Sequence, residues 1–184
     1  MSMLKLVTAF SLLASPVFAT GLEIVVEGEG ANGIVLIDLF EDVAPKHIEQ
    51  MTALATDGAY DGVVFHRVID GFMAQTGDVE FGKLGADMRR AGMGGSSRPD
   101  LPAEFSSIDF DKGIVGMARA QDPNSANSQF FIMFEPGHFL NNQYTVVGKV
   151  VAGQDVVDQI KRGAVQSGAV TGQPDVMKKV TVTK

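Results

Sequence analysis

The pattern of this sequence predicts a mainly β domain, a closed antiparallel barrel accompanied by two helices. Three observations carry that prediction. Short apolar, β-rich runs recur along the chain, only two stretches have helical spacing, and strands and helices do not alternate as a parallel α/β sheet would require. A chain of 184 residues, 45% hydrophobic and 20% charged, has the composition of a globular protein with a real core. Residues 20–184 are expected to form one domain.

Taken in order, Leu22 to Glu27 and Ile34 to Phe40 are the first two strand candidates, joined by glycines and Asn32 in what reads as a hairpin. Pro45 suits the first turn of a helix, with Ile48, Met51, Leu54 and Ala55 on one face and Gly58 as the stop. Val63 to Ile69 and Phe72 to Gln75 are strands broken at Asp70-Gly71, a turn dipeptide. Residues 82–107 are rich in Gly, Ser, Pro and charge. They predict a long ordered loop, and a loop of that length usually serves function. Ile114 to Ala118, Gln129 to Phe134 and Val146 to Val150 follow as strands. A second helix is expected over Gly153 to Arg162, with Val156, Val157 and Ile160 inward and Gly163 beyond its end. Val180 to Thr183 is the last strand expected.

The first nineteen residues have a different character. Lys5 and the amino terminus are positive, Leu6 to Leu13 are apolar, and Ser15 to Ala19 complete the order of a secretory signal peptide. Cleavage is expected after Ala19, which makes the mature protein periplasmic. The apolar run is shorter than the roughly 20 residues a spanning helix needs, so no stable membrane insertion is expected after cleavage.

Composition and motifs exclude several chemistries. A formal net charge of -7 and a pI near 4.9 argue against a nucleic-acid partner, whose phosphates need a concentrated basic surface. The absence of cysteine removes thiol catalysis and Cys-ligated zinc, and leaves packing alone to hold an exported domain. Gly28 to Gly33 matches the G-x-G-x-x-G spacing, but a strand and not a helix follows it. No helix N-terminus is therefore available for a pyrophosphate. There is no G-x-S-x-G and no H-E-x-x-H, and the three histidines, His47, His66 and His138, show no metal spacing. His47 is expected at the surface of the first helix and His138 in a loop. Neither a cofactor nor a metal is expected.

The chemistry-bearing segments are Phe65-His66-Arg67-Val68-Ile69-Asp70-Gly71-Phe72-Met73-Ala74-Gln75-Thr76-Gly77-Asp78, Gly113 to Ala120, and Asn124 to Ile132 with its Asn127-Ser128-Gln129-Phe130-Phe131-Ile132 run. In these segments the sequence closely resembles the cyclophilins, strongly from about Ile34 to Val150 and more loosely to the last strand. The resemblance implies an eight-stranded antiparallel barrel closed by two helices. It also implies peptidyl-prolyl cis-trans isomerase activity on proline-containing polypeptides without a cofactor.

That reaction breaks no bond. Amide resonance sets a barrier of about 18–20 kcal/mol, so an X-Pro bond takes tens of seconds or more to turn unaided. An enzyme need only favour the twisted state over both planar ones. The resemblance assigns Arg67 to this task, as a donor to the prolyl nitrogen, with Gln75 beside it. A guanidinium suits the role because it stays charged and offers several donors. Phe72, Met73, Phe131 and Leu140 match the family's apolar proline pocket, and Gln129 a polar residue of its lining. Ala118, Arg119 and Ala120 match the segment along which substrate backbone runs, with Arg119 in a place the family commonly gives to asparagine. His66 is expected to be structural, facing away from Arg67. Phe139 stands where many members have tryptophan, and Tyr144 where they have histidine. Both changes resemble bacterial exported members, and the loss of an indole N–H predicts weak cyclosporin binding. A monomer is expected. A proline-binding module without turnover, or a holding chaperone, is the alternative to an enzyme, but pure binding would not require Arg67.

Overall fold

The structure, a computed structural model, describes residues 20–184; the expected signal peptide and its cleavage site after Ala19 lie outside the described residues. Nine strands form one curled sheet: β1 (Gly21–Glu27), β2 (Gly33–Leu39), β3 (Val63–Val64), β4 (Arg67–Ile69), β5 (Met73–Thr76), β6 (Ile114–Met117), β7 (Phe130–Met133), β8 (Val146–Ala152) and β9 (Val176–Thr183). Their order is β3-β9-β1-β2-β8-β6-β7-β5-β4, and every pairing is antiparallel. The expectation of a closed eight-stranded barrel is thereby corrected. The predicted strand over Val63 to Ile69 is broken at Phe65-His66, and its halves are the two edges of the sheet. The curl is completed by two residues of covalent chain and not by a hydrogen-bonded ladder.

Both edges are covered. Outside β3, Val64 N–H donates to Gly82 O (2.8 Å) and Leu84 N–H to Gly62 O (2.8 Å). Outside β4, the 163–170 segment supplies Gly168 O to Val68 N–H (2.7 Å), and Gly163 N–H donates to Val68 O (2.9 Å).

Side chains alternate across the sheet, as a pleated strand requires. Leu22, Ile24, Val26, Val68, Ala74, Val115, Met117, Phe130 and Ile132 share the interior core. Their neighbours Met73, Ile114, Phe131 and Met133 face outward, where Phe110, Leu140 and Val146 join them in a second apolar cluster. This external cluster is what the site is built on.

Helix α1 (Pro45–Thr56) starts at proline as expected and turns Ile48, Met51, Leu54 and Ala55 into the interior core. Each such burial stabilises by about 1.5–3 kcal/mol for the larger side chains. Its N-cap, Ala44, makes no capping bond. Glu104 from the long loop supplies the cap instead, accepting from the N–H groups of Lys46 (3.3 Å) and His47 (3.1 Å) and lying 2.6 Å from His47 Nδ1. The expectation that His47 is a surface residue is corrected by this bond: the ring is fully buried beneath Glu104. Burial would raise the Glu104 pKa, but the hydrogen bonds from His47 and Lys46 outweigh it and hold the carboxyl below its ordinary range.

Helix α2 (Gln154–Gln159) ends well before the predicted Arg162. The backbone is captured by another partner: Lys161 N–H donates to Asp175 Oδ2 (2.7 Å), and Ile160 turns extended to bury its side chain. Asp175 also accepts from Gly30 N–H (2.9 Å), so the G-x-G-x-x-G glycines form a packed hairpin turn. No helix among the described residues is long and apolar enough to cross a membrane.

Candidate active site

Strand register places the site residues in a row. Arg67 of β4 lies opposite Gln75 of β5, and Gln75 opposite Phe131 of β7. All three point to the outer face, because Val68, Ala74 and Phe130 take the alternate positions inside. Gly116 of β6 continues the row opposite Phe131. A Cβ there would stand 2.6 Å from both the Phe110 and Phe131 rings. The missing side chain lets those rings stack at 5.8 Å between centroids.

The row opens into a cavity of about 250 Å³ lined by Arg67, Phe72, Met73, Gln75, Ala118, Arg119, Phe131, Phe139, Leu140 and Tyr144. Every predicted site residue is there except Ala120 and Gln129. These two line an adjoining, more polar cavity of about 400 Å³, together with Gly92 to Ser96, Asp100, Ser125 and Asn127. Gln75, Ala118 and Arg119 belong to both, so the two hollows form one groove. Met73, Phe131 and Leu140 are the buried floor of the smaller cavity. Phe139 is 67% exposed at its mouth, tilted against Phe72 at 5.4 Å. The Tyr144 ring meets the edge of Phe131 at 5.9 Å.

Arg67 is held at the rim by two neutral acceptors, Gln75 Oε1 (3.2 Å to an NH group) and Ser167 O (3.3 Å to Nε). Asp70, three residues on, is taken by Arg162 at 2.9 Å. Among the described residues Arg67 pairs with no carboxylate, and its remaining N–H groups are free for an acceptor in the cavity.

Arg119 is used differently. Its guanidinium donates to the carbonyls of Gln143 (3.0 and 3.2 Å), Ala120 (2.9 Å) and Gln121 (3.1 Å), and lies 4.5 Å over the Tyr144 ring. It staples the wall of the groove.

His66 is buried against Gly92, and neither ring nitrogen finds a partner. Burial lowers its pKa, with Asp78 opposing. His138 is exposed and sits 2.8 Å from Asp111. No cluster of metal-ligating side chains occurs among the described residues. The Gly92 to Ser96 wall lies in the long loop that the sequence marks as functional, and Asn127, within the Asn127-Ser128-Gln129 run, accepts from Ser96 N–H (2.7 Å) there; neither is among the predicted site residues. What points to the wall is the length and glycine content of the 82–107 loop.

Residues 23–182 match the family model described as cyclophilin type peptidyl-prolyl cis-trans isomerase/CLD. The chain belongs to the cyclophilins. A cyclophilin relative in Brucella suis, named a probable peptidyl-prolyl cis-trans isomerase, is 59% identical over 153 residues, covering 82% of this chain and 78% of that one. The isomerase cyp18 of Streptomyces antibioticus is 36% identical and covers 82% of this chain and 90% of its own. Among solved structures, a Cryptosporidium parvum cyclophilin aligns with a TM-score of 0.74 at 25% identity, covering 91% of this chain and 99% of that chain. The same Cryptosporidium protein, crystallised in the presence of the dipeptide Ala-Pro, aligns with a TM-score of 0.72 at 26% identity, covering 89% and 99%. The activity of this cyclophilin is peptidyl-prolyl cis-trans isomerisation.

Proposed function

We propose that Arg67 carries the isomerase reaction, with the proline ring of the client polypeptide in the Met73–Phe131–Leu140 cavity. The observation that carries this reading is the placement of a guanidinium with unused donors at the rim of an apolar cavity of about 250 Å³. The apolar floor holds the ring while leaving the amide at the rim. As the prolyl nitrogen becomes pyramidal and gains a lone pair, a fixed N–H donor stabilises it more than the planar state. Gln75 orients that donor, and the backbone of Ala118 to Ala120, stapled by Arg119, lies along the groove for the flanking residues. The Ala-Pro dipeptide of the Cryptosporidium structure supports proline-containing peptides as ligands.

The clients are proposed to be exported proteins folding in the periplasm. Support for that is the leader pattern of residues 1–19. Intact-mass analysis of secreted protein should begin at Thr20; a retained leader would overturn export.

The decisive measurement is cis-to-trans relaxation of a short X-Pro peptide by residues 20–184 and by Arg67→Ala. Catalysis in the first should fall by roughly 150-fold in the second, the loss of about 3 kcal/mol expected for one preorganised donor. Equal rates would remove Arg67 from the mechanism. Binding without catalysis in the unsubstituted protein would leave a proline-recognition module.

A further inference from the structure

Arg67 is steered by an amide, and amides can turn over. Exchanging the oxygen and nitrogen of Gln75 would present an NH₂ group to the guanidinium and push it aside. Something must fix the orientation. Gln75 Nε2 donates to Gln129 Oε1 (2.9 Å), and Gln129 Nε2 donates to two backbone carbonyls, Gly92 O (3.0 Å) and Gly94 O (2.8 Å). Carbonyls only accept and a guanidinium only donates. A chain of two amides between such ends has a single polarity. The carbonyl pair is therefore the fixed reference from which the orientation of Arg67 is set.

The carbonyl pair is itself held by one side chain that no part of the isomerase reading uses. Asp78 is completely buried, and no cation pairs with it among the described residues. Its carboxylate is satisfied by four backbone N–H groups: Glu80 (3.1 Å) and Phe81 (2.8 Å) on Oδ1, Gly92 (2.7 Å) and Gly94 (3.1 Å) on Oδ2. One carboxylate thus ties both ends of the 80–94 excursion to the chain leaving β5, three residues after Gln75. The strap is moulded round it. A Cβ on Gly94 would lie 2.5 Å from Asp78 Oδ1, and one on Gly92, where φ is +91°, would lie 3.0 Å from the His66 ring. An anion this deep is tolerated only while its hydrogen bonds are made, which is what gives the strap a definite position.

We infer that Asp78 is a positioning residue for the isomerase reaction, acting through the Gly92 and Gly94 carbonyls, Gln129 and Gln75 to hold the Arg67 guanidinium in one orientation. The inference rests on the reading of Arg67 as the catalytic residue. It makes a specific separation: Asp78 touches none of the apolar cavity, so losing it should slow turnover and spare proline binding.

The test is Asp78→Asn, alone and combined with Gln129→Ala, beside Arg67→Ala. Asparagine keeps the shape but offers an acceptor on one side only, so one N–H pair loses its partner. Asp78→Asn should lower kcat about tenfold and leave the Kd for an Ala-Pro peptide within twofold. In the Gln129→Ala background, where the relay is already cut, the same substitution should change kcat by less than twofold. A tenfold loss in both backgrounds, no loss in either, or a loss expressed mainly in Kd would each overturn the inference. Should Asp78→Asn fail to fold, side-chain amide exchange in the unsubstituted protein decides: Gln129 Nε2 hydrogens should exchange at least tenfold slower than an exposed glutamine, and free exchange refutes the relay. Full activity in Arg67→Ala would refute the underlying reading, whereas its collapse beside a fully active Asp78→Asn would refute the positioning role alone.

Discussion

Replacing Arg67 by lysine separates charge from geometry. A guanidinium has five N–H groups, of which one goes to Ser167 O and one to Gln75 Oε1, leaving three spread across a planar fork. A lysine ammonium keeps the charge but has three N–H groups on a single nitrogen. If Gln75 Oε1 takes one, the charge stays at Gln75 and cannot also reach along the rim. Removing the donor outright should cost about 3 kcal/mol. Retaining the charge in the wrong place should recover about a third to a half of that. Arg67→Lys is therefore expected to lose about 10- to 30-fold in kcat/KM, between the wild type and Arg67→Ala. The assay is exchange NMR on an X-Pro peptide, with near-UV circular dichroism to confirm the fold. A Lys variant within twofold of wild type would show that a point charge suffices and would refute the directional argument. A loss equal to that of alanine would refute the charge contribution.

Two further outcomes follow from other parts of the structure. Glu104→Ala leaves the buried His47 and the start of α1 without their acceptor, and should destabilise by about 1.5–3 kcal/mol, lowering Tm by roughly 5–10 °C. Because the Glu104 pKa is lowered in the folded state, its stabilisation is complete above the ordinary carboxylate range and is lost as pH falls through the depressed value. Urea midpoints of the two proteins should thus converge on acidification from pH 7 to pH 3, and a constant gap would sink the idea. Phe139→Trp restores an indole N–H at an exposed position beside Phe72, and cyclosporin affinity measured by calorimetry should rise at least fivefold. Unchanged affinity would show that this donor is not what limits the inhibitor.

What was legible in the sequence was the part built from local pattern. The alternation that sends Val68 inward and Arg67 outward follows from period two, and the motif segments put Met73, Gln75 and Phe131 on adjacent strands, with Phe72 in the turn just before the first of them. What escaped were decisions made by distant partners. His47 looks exposed because nothing near it in sequence announces Glu104, which arrives from the far end of the 82–107 loop. The second helix looked longer because Asp175, which takes the Lys161 N–H away from it, lies beyond the helical pattern. Asp78 stood inside the recognised segment, yet its four backbone partners could not be inferred until the loop returned to it. The break at Phe65-His66 likewise carries no turn signal; it comes from β3 pairing with β9 and β4 with β5.

The covered edges of the sheet have a consequence for the company this protein keeps. An isomerase meets its clients while they are extended and have unpaired backbone of their own. A free strand edge would pair with such chains and grow by accretion, the first step of aggregation. Here the 82–84 and 163–170 segments already occupy the N–H and C=O groups of β3 and β4. On the function proposed above, clients are left the groove between the two cavities. A folding assistant of this design can be crowded by unfolded polypeptide without becoming a template for it.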